Sequence, residues 1–197
     1  MARLPAVTVG AAGVMVKLVY WFTERRLQRL IGTNPSNMLE PLEIYAHIPR
    51  LLSAYGQLEW AVASLHHLRR RHRALAELRA ATVVQCEFCI DLGSQVARRW
   101  GLSDDELLAL PHYPTSPLFS AVDRLVLDYA TGMSRTPVQI SDELFTALRQ
   151  HFTVPQLVEL TSVIALEQMR GRFNLALDIG PAGFSDGMIC ALPQTIT

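Results

Sequence analysis

Cysteine is scarce in this chain, with three among 197 residues. So small a number excludes the disulfide framework of a small secreted protein. An excess of one charge is also missing, because 18 Lys and Arg balance 18 Asp and Glu. No global field therefore draws the chain to nucleic acid. No apolar run reaches the length of a membrane-spanning helix. The apolar stretch at residues 4–16 follows one charged residue, Arg3, and Lys17 closes it early. It is too weak for a secretory leader and reads as a mobile end leading into a helix. A single C-x-x-C, with no second pair and no Cys/His partner at metal spacing, argues against structural zinc. The reading is a cytoplasmic protein with no metal and no organic cofactor. Strand alternation and low-complexity segments are also absent.

Apolar residues are what the chain has in quantity. Half of it is hydrophobic and 18% is charged, with a mean hydropathy of +0.19. Surplus apolar surface of that kind goes to a partner subunit, a ligand or a membrane, and a homo-oligomer is expected. The pattern is helical nearly throughout, so the fold class is all-α. Val14, Leu18, Trp21 and Phe22 mark one apolar stripe. Residues 32–37 form a loop. Pro41 and Pro49 suit first turns of helices. Leu51, Tyr55, Leu58, Val62 and Leu65 make a seam that calls for another helix. Gly101 ends the helix that holds the cysteines, after Arg98 and Arg99. Capping boxes at Ser103 and Thr153 open two later helices, and the second is apolar around most of its circumference. Residues 1–35 are read as an N-terminal helical extension and 36–197 as the main domain. His66, His67 and His72 do not share a helix face, so residues 66–73 read as a solvated, cationic helix end rather than a metal or anion site.

The chemistry is concentrated in Cys86-Glu87-Phe88-Cys89. Residues three apart on a helix share a face, with Cβ atoms about 5–6 Å apart. That is close to disulfide range. A reversible dithiol is therefore expected, activated by a helix N-terminus or a nearby cation. Cys190 has no partner near it in sequence.

The run Cys86 to Gly93, the segment Ala97 to Ser103, the pair Leu78-Arg79 and Arg172-Phe173-Asn174 together resemble the carboxymuconolactone decarboxylase superfamily, in its alkylhydroperoxidase-D-like branch. The resemblance covers about residues 40–185. It implies an alkylhydroperoxidase-D-like helical bundle, homo-oligomers, a dithiol reductant protein as partner, and peroxide or thiol–disulfide chemistry. Carried over residue by residue, Cys89 is the peroxidatic thiol and Cys86 the resolving one. Two positions depart from the family pattern. Gly93 stands where its peroxidases have a histidine, and Ala74 where they have a glutamate, so the proton relay is lost. Candidate supporting groups are Glu77, Asp91, Glu167 and Asn174, with Glu87 expected to point away from the cysteines. Each carboxylate taken singly reads as a solvated surface group. Asn174 is either a polar group of the site or a buried amide. The function implied is a weak thiol-dependent peroxidase. The alternatives are a redox-sensing or structural member and a decarboxylase-like lyase.

Overall fold

The computed structural model describes residues 2–32, 35 and 37–191. Thr33, Asn34 and Ser36 of the expected loop, and residues 192–197 of the tail, lie outside the described residues. The helices are α1 (Val14–Ile31), α2 (Glu40–Tyr45), α3 (Pro49–Ala63), α4 (Arg70–Val84), α5 (Glu87–Arg99), α6 (Asp104–Ala109), α7 (Ala121–Met133), α8 (Asp142–His151) and α9 (Val154–Ala176). No strand occurs among the described residues.

Local chemistry sets most of these boundaries. Pro49 begins α3 and Pro41 lies in the first turn of α2. The boxes at Ser103 and Thr153 form as expected, with Glu106 and Gln156 reaching back to the cap backbone. Gly101, at φ 97°, closes the end of α5.

The centre of the molecule is α4, which packs against α5, α7 and α9. Its inner residues are small or apolar, among them Ala74, Leu75, Ala76, Leu78, Ala80 and Ala81. Small side chains allow neighbouring helices to approach closely on several sides at once. Helix α9 runs parallel to α4. Glu159, near its start, accepts the backbone N–H groups of His67 and Leu68 just before α4. Gly171, near its end, faces Val84 in the last turn of α4.

Four sequence expectations change here. The cysteines do not share one long helix, because Gln85 adopts φ 60° and separates α4 from α5. Residues 2–12 are tied down rather than mobile. Arg3 donates to the carbonyls of Leu177 and Ala176, Val7 N–H to Glu43 O, and Tyr20 Oη to Val7 O. The stripe Val14, Leu18, Trp21 and Phe22 lies outward, at 42% exposure or more for its neighbour Met15 and 46–78% for the four themselves, while Val16 and Tyr20 face the core. The helix seen from its apolar letters alone thus places its wrong side inward. Finally, His72 and Arg73 are buried, not solvated, with the His72 ring edge-on to Phe152 at 5.3 Å. Of the seam on α3, Val62 is buried against the core, whereas Leu51 and Leu58 stay exposed.

Candidate active site

The turn at Gln85 determines where the sulfurs go. Cys86 follows in extended conformation and is the N-cap of α5, and its Sγ accepts the backbone N–H of Cys89 at 3.3 Å. Cys89 lies in the first turn. The two are joined as a disulfide, with Cα atoms 5.2 Å apart. Both are enclosed, at 1% and 6% exposure. A helix N-terminus favours negative charge, so this position stabilises a thiolate on Cys86 once the bond is reduced.

Three residues of α9 complete the surroundings. Asn174 directs Nδ2 at both sulfurs, 3.7 Å from Cys86 and 3.6 Å from Cys89. Its amide is thus bonded to sulfur rather than to backbone. Gly171, one turn earlier, abuts the cysteine turn: a Cβ there would lie 2.7 Å from Val84 Cγ2 and 3.4 Å from Cys86 Cβ. Only a residue without a side chain lets α9 come this near. One further turn back on the same stripe is Glu167.

Glu167 is the buried member of a partly buried network. Its Oε2 accepts Arg170 Nη1 at 2.7 Å, and Arg170 also clamps Glu59 of α3 through Nε and Nη2 at 2.8 and 2.6 Å. On α4, Glu77 pairs with Arg73 at 3.3 Å. Burial, assisted by the nearby Glu77 and opposed by Arg170, pushes the Glu167 carboxyl up to about 7. Burial of Glu59 acts upward too, but Arg170 outweighs it and holds that carboxyl below its usual range. Burial and the Glu59 charge push the Tyr55 hydroxyl far up.

The remaining candidates have other positions. Asp91 is not a surface group. It is buried and accepts the backbone N–H groups of Gly183, Phe184 and Ser185 at 2.7–3.0 Å, tying the segment after α9 to α5. Phe184 meets Phe88 edge-on at 5.6 Å. Cys190 lies along the same helix, with Sγ 3.4 Å from Ser94 Oγ. Glu87 is exposed, as expected. Gly93 faces α4, where a Cβ would stand 3.2 Å from Leu78 Cδ1. Ala74 is buried one turn before Leu78. Gly93 thus packs against the apolar Leu78 of α4. No cluster of three or more metal-ligating side chains occurs among the described residues.

The profile of the carboxymuconolactone decarboxylase family matches residues 49–131. An Escherichia coli (strain K12) protein, YnjA, is 37% identical over 159 residues, which are 80% of this chain and 84% of that one. The chain belongs to the carboxymuconolactone decarboxylase family. Solved structures place this family member in the alkylhydroperoxidase-D-like fold. The ligand-free debrominase Bmp8 superposes with a TM-score of 0.75 at 20% identity, over 91% of each chain. A peroxidase-related protein from Ralstonia eutropha, described as an alkylhydroperoxidase AhpD core, gives 0.72 at 18% identity over 91% of this chain and 92% of its own. Both likenesses concern the fold.

Sequence reasoning did not find Arg170, Arg73, Glu59, Tyr55 or Gly171. Two of them left signals. Arg170 is three residues after Glu167, an ion-pair spacing on a helix. Gly171 interrupts a long helix, which marks a close approach.

Proposed function

We propose that this family member is a thiol-dependent oxidoreductase of the peroxidase type, working through Cys86 and Cys89. The observation that supports it most is Asn174, whose amide donates to both sulfurs at once. A donor shared by two sulfurs stabilises a thiolate on either of them. In the reaction the Cys89 thiolate attacks a peroxide oxygen. The O–O bond breaks, and the leaving alkoxide or hydroxide takes a proton. The Cys86 thiolate then attacks the Cys89 sulfenic acid, the S–O bond breaks, and water leaves as the disulfide closes. Two electrons pass from the dithiol to the peroxide. Cys89 is the more exposed of the pair, which suits the attacking role, and Cys86 at the N-cap suits the resolving one. A dithiol protein in a reducing compartment, the cytoplasm, would return the pair to thiols. The outward apolar stripe of α1 supports a homo-oligomer.

A second reading, a redox-sensing member that closes the disulfide without turning over peroxide, is favoured by Ala74 and Gly93. Peroxide consumption with dithiothreitol separates the two. Wild type is expected to consume hydrogen peroxide slowly, and Cys89→Ser not at all. Equal rates in both would overturn the peroxidase reading. Intact-mass alkylation under denaturing conditions, after mild oxidation, is expected to show Cys86 and Cys89 blocked and Cys190 labelled. Three equally labelled thiols would overturn both readings.

A further inference from the structure

The two sulfurs are nearly shut off from solvent, so any proton that a thiol releases needs a protein group to receive it. The stripe of α9 that holds Asn174 and Gly171 against the cysteines continues to Glu167. One turn, about 6 Å of helix rise, separates Glu167 from Gly171, which abuts Cys86. Around the buried Glu167 the nearby charges, most of them partly buried, do not balance. Carboxylates come from Glu59, Glu77 and Glu167, and guanidinium groups from Arg73 and Arg170. Arg26, exposed on α1, acts on Glu59 from further out. A partly buried group of three negative and two positive charges, with Glu167 at its buried centre, is relieved by taking up one proton. We propose that Glu167 is the proton store of the Cys86–Cys89 dithiol: it receives the proton that a thiol gives up and later returns it to the departing oxygen.

This deepens the reading of the pair as a redox dithiol and rests on it. The step itself is a proton transfer. The S–H bond breaks, its electron pair remains on sulfur, and the proton binds a Glu167 carboxylate oxygen. Every neighbouring element bears on that oxygen. Arg170 acts on it from α9, Glu77 from α4 and Glu59 from α3, while Arg73 pairs with Glu77 and Tyr55 with Glu59. Arg170 holds the carboxylate in place, while Glu77 opposes its charge. The upward displacement of the Glu167 carboxyl to about 7 agrees with this balance, and a group that titrates near neutral pH is suited to exchanging protons.

The test is the pH dependence of iodoacetamide labelling of Cys86 and Cys89 in the reduced protein, followed by mass spectrometry. Wild type is expected to give two coupled steps, the lower one near pH 7. Glu167→Gln, which keeps the shape and an oxygen for Arg170, is expected to lose the lower step, and Glu167→Asp to retain one. Glu77→Gln removes a like charge and is expected to move the lower step to lower pH. A folded Glu167→Gln protein that keeps both steps overturns the proposal. Should that variant not fold, an unmoved lower step in Glu77→Gln overturns it. No peroxide enters the measurement. A protein that labels in two steps but consumes no peroxide loses the peroxidase reading alone, and one that consumes peroxide but labels in a single step loses this proposal alone.

Discussion

Glu77 and Glu167 repel one another across the α4–α9 contact, and each is held by an arginine of its own helix, Arg73 four residues before and Arg170 three residues after. Two parallel helices thus bring like charges together inside the protein and attach a counter-charge to each. The arrangement is stable only while the arginines remain paired, since a buried carboxylate that loses its partner is strongly destabilising.

Its first consequence is a pH dependence of stability. The Glu167 carboxyl is raised from 4.5 to about 7 in the folded protein. Between those values the native state binds more protons than the unfolded chain, so stability falls as pH rises through that window. The contribution is on the order of 3 kcal/mol. Urea unfolding from pH 4.5 to 8 is expected to show wild type losing stability toward pH 8, with Glu167→Gln losing less. Parallel pH profiles for the two proteins would contradict the raised carboxyl.

Asn174→Leu nearly preserves volume and removes the donor from both sulfurs. A hydrogen bond to a charged group contributes about 1.5–3 kcal/mol. The thiolate fraction of the reduced pair at neutral pH is therefore expected to fall about tenfold or more. Iodoacetamide labelling rates measure it. A rate equal to that of wild type would mean that the amide does not stabilise the thiolate.

Asp91→Ala is expected to release the segment at residues 183–185 from α5. Three backbone N–H groups lose a charged acceptor, a cost on the order of 3 kcal/mol. In a chain of this size that lowers Tm by about 6–12 °C. Asp186→Ala, at an exposed position of the same segment, is the control and is expected to change stability by about 0.5 kcal/mol or less. Calorimetry and amide exchange at residues 183–191 check both. Equal melting temperatures for the two variants would remove Asp91 from its anchoring role.

Elements governed by local chemistry were legible in the sequence. Pro49, Gly101 and the boxes at Ser103 and Thr153 act within one turn, so their effect is visible in a few consecutive letters. The C-x-x-C also identified both the family and the pair. What was not legible depends on contacts between distant segments. Asp91 looks like a surface acid until Gly183, Phe184 and Ser185 fold onto it. The sides of α1 could not be assigned by hydrophobicity, because Tyr20 packs inward and bonds Val7 while Trp21 and Phe22 remain outside. The break at Gln85 was hidden because no glycine or proline marks it between Ala80 and Leu92. It is tertiary packing, with Val84 and Cys86 against Gly171, that accompanies this turn.

Gly171 also restricts how this lineage can drift. Any side chain at that position must displace Val84 or push the cysteine turn away from α9. Positions 84 and 171 therefore share a fixed volume although they lie 87 positions apart in the sequence. Across related sequences that keep both cysteines, a larger residue at one should accompany a smaller residue at the other. A member that has lost the cysteines is released from that bargain, and its α9 is free to acquire an ordinary helix-forming residue there.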